Sequence, residues 1–173
     1  MCIAIYKNQG VELYEDTLKN CWESNSDGAG FMYADKGKLH IEKGFFTFQD
    51  FMEAYDEHKY KQAVLHFRIR THGNIDYDNC HPYSVDDNLA FVHNGTISID
   101  ETDKSKSDTW HFNEEILKPI RKRYKAFFKD GVYDQLLDKF IGWSKLIFLN
   151  SKGEFKIINE KAGEWNKIGR AHV

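Results

Sequence analysis

At 173 residues, with 41 % hydrophobic and 15 % aromatic side chains and only 2 prolines, the chain can fill one core and is too apolar to be disordered. A net charge of −3 and a pI near 6.2 exclude an overall basic field for nucleic acid. Cys2, Cys21 and Cys80 are odd in number and far apart, which excludes a disulfide framework, and no apolar run reaches membrane-spanning length or forms a signal-peptide core.

The expected protein is therefore soluble and cytoplasmic, without a membrane partner. Residues 1–167 read as one domain. The last six, Ile168 to Val173 ("IGRAHV"), match the translation of a common sequencing-adapter read. They are expected to be a scar outside the fold, in which case the native C-terminus is missing.

In chain order, Cys2 to Tyr6 reads as a strand start and Asp16 as the cap of a short helix bearing Leu18, Cys21 and Trp22. Ser24 to Gly30 is a turn by composition. Phe31–Ala34 and Lys38–Lys43 pair as a hairpin across Asp35-Lys36-Gly37. Thr47 and Asp50 resemble a capping box, opening a helix with Phe48, Phe51, Met52 and Tyr55 on one face. Gln62–Ile69 is a β-favouring strand, residues 70–84 a polar loop, and Leu89–Val92 a short strand ending at His93-Asn94-Gly95. A long helix starts near Ser107, and Pro119 should kink or divide it. Tyr133–Ile141 is a further helix, and Lys145–Leu149 with Glu154–Ile158 form a closing hairpin. Hairpins and helices in this order predict an α+β protein with antiparallel sheets.

A cysteine directly behind the initiator methionine is the oddest feature. Methionine is removed before a small second residue, which would leave Cys2 with a thiol and a free α-amine. An α-amine titrates at about 7.7–8.0, close to a thiol at roughly 8.5. The amine can therefore accept the thiol proton and return it to a leaving amine, so one residue supplies nucleophile and base. The plain alternative is a small residue buried at a strand end.

Six segments decide between these readings: "MCIAIY", "SDGAGFMY", "HFRIRTHG", "NCHPY", "FVHNGTI" and "KSDT". In this order they resemble class II glutamine amidotransferase domains, members of the N-terminal-nucleophile hydrolases. The likeness is to small stand-alone forms of phages and bacteria, and it runs from Cys2 to about Thr109. It implies a four-layer αββα sandwich of two mostly antiparallel sheets with helices outside. It also implies hydrolysis of the glutamine side-chain amide through a Cys2 thioester, without metal or organic cofactor. Ammonia would pass to an acceptor, such as a separate synthase.

By the same resemblance Asn94 and Gly95 form the oxyanion hole, Arg68 clamps the glutamine carboxylate, and Asp108 receives its ammonium. Thr71, His72 and Gly73 border the substrate. Arginine's planar fork suits a carboxylate in a way lysine cannot reproduce. Each residue keeps an ordinary alternative: a hairpin turn for Asn94-Gly95, a surface strand position for Arg68, helix capping for Asp108, and loop bracing for His72. Ile69 and Arg70 depart from the tryptophan and alanine frequent in sugar-phosphate-linked relatives.

Three further readings compete. An N-terminal cysteine hydrolase of another amide keeps the mechanism and changes the substrate. A metal-dependent enzyme could use His66, His72, Cys80, His81 and His93, although these spacings lack the tight pairs of zinc sites. An inactive binding module should have lost Cys2, Arg68 or Asn94, and all three are present.

Overall fold

The computed structural model describes residues 1–165 and 171–172. The N-terminal run forms β1 (Ile3–Lys7), and α1 (Glu15–Ser24) follows. The α1 cap differs from the expected one. Tyr14 is the N-cap and offers no side-chain bond, while Asp16 lies inside the first turn, where a carboxylate suits the helix dipole.

The hairpin at 35–37 is present, joining β2 (Ala29–Asp35) to β3 (Lys38–Phe45). Thr47 caps α2 (Phe48–Asp56) by accepting from the Asp50 N–H at 3.2 Å, and the Asp50 carboxylate accepts from the Thr47 hydroxyl at 2.6 Å. β4 (Ala63–Phe67) is shorter than the expected strand. The expected loop 70–84 ends in a strand that sequence reading missed, β5 (Tyr83–Asp86), which pairs with β6 (Leu89–Asn94).

The helical run after Ser107 does change at Pro119. It passes from α3 (Asp108–Phe112) through a wide π-turn at Asn113–Leu117 into α4 (Lys118–Arg123). Proline has no N–H and its ring clashes with the carbonyl four residues back, so the turn before it widens. Phe127, at helical spacing from Ile116 and Ile120, instead begins a separate 3₁₀ turn. α5 (Gly131–Ile141), β7 (Lys145–Asn150) and β8 (Phe155–Ile158) follow as expected. Ala171–His172 forms β9, two residues paired with Tyr6 and Lys7. The rest of the expected scar, 168–170 and 173, lies outside the described residues.

The strands build two antiparallel sheets, β3-β2-β4-β1-β9 and β5-β6-β7-β8. Strand alternation then sorts the side chains into layers. Ile5, Phe31, Leu65 and Phe67 turn outward against Leu18 of α1 and Phe51 and Tyr55 of α2. Phe91, Leu146 and Phe148 turn outward against Phe112, Leu137 and Ile141. Ala4, Tyr6, Met32, Val64, Ala90, Val92, Ile147 and Leu149 fill the space between the sheets. Three apolar layers between four structural layers are the expected αββα sandwich.

Ala90 is fully buried between the sheets. Facing sheets stand ~10 Å apart, so Ala90→Leu is expected to overpack this layer and to cost about 1–3 kcal/mol. Urea unfolding would show this as a lower midpoint. An unchanged midpoint would mean that the sheets separate easily here.

Candidate active site

The sandwich gathers the chemistry at one end. β1 pairs antiparallel with β4 in the register Ile3↔Phe67, so the residue before β1 and the residue after β4, Cys2 and Arg68, meet at the sheet edge. Cys2 Sγ lies 3.5 Å from the Ile69 carbonyl. β6 ends at Asn94 and α3 begins at Asp108 around the same cleft.

That cleft is small, with a cavity volume of about 20 Å³. Of the expected residues, Cys2, Arg68, Thr71, His72, Gly95 and Asp108 line it, together with Ile69, His81, His93, Ser107 and Thr109. Asn94 and Gly73 are next in chain to lining residues. A larger cleft of about 410 Å³ sits at the opposite end, beside Gln9, Lys36 and Lys152, but no cysteine or histidine lines it.

Burial pushes the Cys2 thiol above its ordinary pKa, and the Ile69 contact and the Arg68 charge offset this in part. As it stands in the unprocessed chain, the sulfur is not an activated thiolate. Asn25, almost wholly buried, donates from Nδ2 to the Met1 carbonyl at 2.8 Å, while Met1 itself is 92 % exposed. Asn25 therefore touches the very peptide group that methionine removal would convert into the Cys2 amine. Sequence reading placed it in an anonymous turn, and no spacing pattern marked it.

Arg68 is buried rather than on the surface, at 3 % exposure. Its Nη1 and Nη2 donate to the Asn74 and His72 carbonyls, both at 2.8 Å. These bonds shape the loop after β4. They use two of five guanidinium N–H donors and leave the others available. Strand alternation would put Arg70 on the face of Arg68, but Arg70 is exposed past the end of the strand.

Helix capping belongs to Ser107, whose Oγ accepts from the Trp110 N–H at 3.2 Å, and not to Asp108. Asp108 Oδ2 accepts from the Ile97 N–H and Oδ1 from the Thr109 N–H, each at 2.7 Å. The carboxylate thus ties the loop after Gly95 to the start of α3. His72 pairs through Nδ1 with Glu101 at 2.8 Å, which braces the loop from outside. Gly73 (φ +69°) packs where a Cβ would come within 2.7 Å of the Ser107 nitrogen.

Gly95 needs its glycine. Its φ is +134°, and a Cβ would stand 2.3 Å from Ser144 Oγ, which is itself held by donating to the Thr96 carbonyl. The turn leaves Asn94 Oδ1 buried without a protein partner.

The histidines are arranged differently from a metal site. His66 packs tilted against His81 with ring centroids 4.0 Å apart, while His72 stands on the outer loop. Among the described residues, no three His, Cys, Asp or Glu side chains are placed to hold one ion.

No protein-family model and no curated protein matches the chain. Solved structures do. A glutamine phosphoribosylpyrophosphate amidotransferase from B. subtilis, complexed with ADP and GMP, aligns at 18 % identity with a TM-score of 0.61, over 98 % of this chain and 41 % of that one. An allosteric regulatory enzyme of purine biosynthesis aligns at 20 % identity and TM-score 0.56, over 98 % and 41 %. A glutamine aminotransferase class-II domain protein from Silicibacter pomeroyi aligns at 12 % identity and TM-score 0.49, over 99 % and 86 %. The chain spans about two-fifths of the length of the first two. The resemblance to class II glutamine amidotransferases is thereby shown at the level of fold: the chain adopts the sandwich found in the stretch of these enzymes that it covers.

Proposed function

We propose that this chain, once Met1 is removed, hydrolyses the side-chain amide of glutamine to glutamate and ammonia. The observation that carries the reading is the convergence on one cleft of Cys2, Arg68, Gly95 and Asp108, delivered by four separate segments. The Cys2 sulfur attacks the amide carbon, and its proton passes to the α-amine. The oxyanion is met by the Gly95 N–H and the Asn94 side-chain amide. The amine returns the proton to the leaving nitrogen, ammonia departs, and a γ-glutamyl thioester remains. Water then attacks the thioester, releasing glutamate and restoring the thiol. Nucleophile and base sit on one residue, so the sequence of steps requires no metal or organic cofactor. Ammonia passes to an acceptor, such as a separate synthase or a further part of the native protein.

Arg68 holds the substrate carboxylate with its remaining donors, and Asp108 holds the ammonium. Thr71, His72 and Gly73 form the loop beside them. Arg68→Lys loses the fork and the two loop bonds, so KM for glutamine is expected to rise about tenfold or more. Steady-state kinetics measure this, and an unchanged KM removes Arg68 from the clamp.

The test of the reading is incubation of the purified chain, its N-terminus verified by intact mass, with glutamine, asparagine and simple primary amides. Equal yields of glutamate and ammonia from glutamine alone are expected. A second reading, a hydrolase of another amide, gains from Arg68 already bonding its own loop; turnover of the other amides in preference to glutamine would establish it.

A further inference from the structure

Behind the thiol lies a group of buried nitrogens with nothing to bond. His66, His81 and His93 are each at most 4 % exposed. Their ring atoms His66 Nδ1, His81 Nδ1, His81 Nε2 and His93 Nε2 have no protein partner. Buried polar atoms are nearly always satisfied, and a cluster of exceptions points to a bound small molecule.

The hydrogen-bond network fixes what that molecule must be. Thr109 Oγ1 lies 3.2 Å from the Asp108 carboxylate and 2.7 Å from His93 Nδ1. We assign its single proton to the carboxylate, which can only accept; His93 Nδ1 is then the N–H and Nε2 is left as a lone pair. His66 Nε2 lies 3.0 Å from the His93 carbonyl, which only accepts, so His66 Nδ1 is also a lone pair. His81 offers one more lone pair and one N–H. The unmet demand is therefore for a ligand rich in donors. His81 and His93 both line the Cys2 cleft, with ring centroids 6.4 Å apart, a gap that one molecule making two bonds of about 2.9 Å can span.

We propose that His81 and His93 form a subsite for one molecule of neutral ammonia beside the Cys2 thioester. The proposal rests on the glutamine reading above and deepens it. Two of ammonia's three N–H groups can donate to one lone pair on His81 and one on His93. Burial holds the three imidazoles neutral, His66 at about 3 and His93 at about 4, with no acidic proton to spare. The Arg68 and Lys43 charges near His81 disfavour ammonium, while the Asp108 carboxylate near His93 acts the other way. Ammonia kept here can also attack the thioester. A C–N bond forms, the C–S bond breaks, and one ammonia proton passes to the sulfur, regenerating glutamine.

The experiment supplies heavy-nitrogen ammonium chloride with ordinary glutamine. It reads the ratio of heavy nitrogen entering glutamine to glutamate formed. In the parent protein this ratio is expected to saturate with ammonia concentration. His81→Phe keeps the ring contacts and removes both nitrogens, so the ratio should fall about tenfold. His81→Gln, which restores a donor and an acceptor, should recover most of it. A strictly linear dependence in the parent overturns the proposal, and that measurement needs no variant to fold. An unchanged ratio in a folded His81→Phe protein overturns it too. So does a raised ratio, which would mean that the site holds the hydrolytic water instead. Absence of any glutamate refutes the glutamine reading itself and takes this proposal with it.

Discussion

Cys2→Ala is expected to abolish glutamate formation, by roughly 10⁴–10⁶ in turnover, the scale on which removal of a nucleophile acts in covalent hydrolases. No other thiol can substitute. Cys80 is fully buried, with its pKa raised by burial, and Cys21 lies on α1 against the outer layer. The fold should survive. Cys2 precedes β1, and its side-chain hydrogen bond is the long Sγ···O approach to Ile69. A stability change within about 0.5 kcal/mol is therefore expected. Paired measurements of glutamate release and thermal unfolding separate the two effects. Undiminished release by a folded Cys2→Ala chain ends the assignment of the nucleophile.

How far the sequence anticipated this site depends on which physics each residue obeys. Strand propensity is local, so the strands around Ile5 and Phe91 could be read directly, but both faces of each are apolar, so which residues turn to the outer and which to the inner layer could not. The hairpin at Lys36-Gly37 was equally legible, because turn chemistry lies within four residues. β5 was not. Its residues Tyr83–Asp86 follow a histidine and a proline, and only pairing with β6 makes them a strand. Long-range partners explain the other gaps. Nothing near Arg68 in sequence says that it bonds the Asn74 carbonyl, or near Asp108 that it holds the Ile97 N–H. Motif order brought Arg68, Asp108 and Gly95 together on paper, whereas Asn25 and His81 needed three dimensions. The one depends on a contact with the Met1 carbonyl, the other on a ring packed against His66.

Retention of Met1 is the second change expected to be nearly as severe as loss of the sulfur. The reasoning concerns protons. In the uncleaved chain the residue 2 nitrogen is an amide, which cannot accept the thiol proton. Sγ then bonds the Ile69 carbonyl, too weak a base to help. His81 and His93 share the cleft, but burial depresses both, His93 to about 4, so they are poor bases at neutral pH. Burial also holds the thiol above its ordinary pKa, which keeps the sulfur protonated. Processing exchanges the amide for an amine near 7.7–8.0 and frees Asn25 Nδ2 from the Met1 carbonyl. Asn25 can then turn its Oδ1 toward that amine and orient it. A chain with a non-cleavable N-terminal extension is expected to lose at least about 10²-fold in kcat, the lower bound for a lost general base. Steric disruption is not the cause: Met1 is 92 % exposed, so an extension projects into solvent. Asn25→Leu on a correctly processed chain should show a smaller loss and a displaced basic limb in the pH–rate profile. Full turnover by an extended chain, its mass confirmed, would shift the role of base from the amine to His93 or His81.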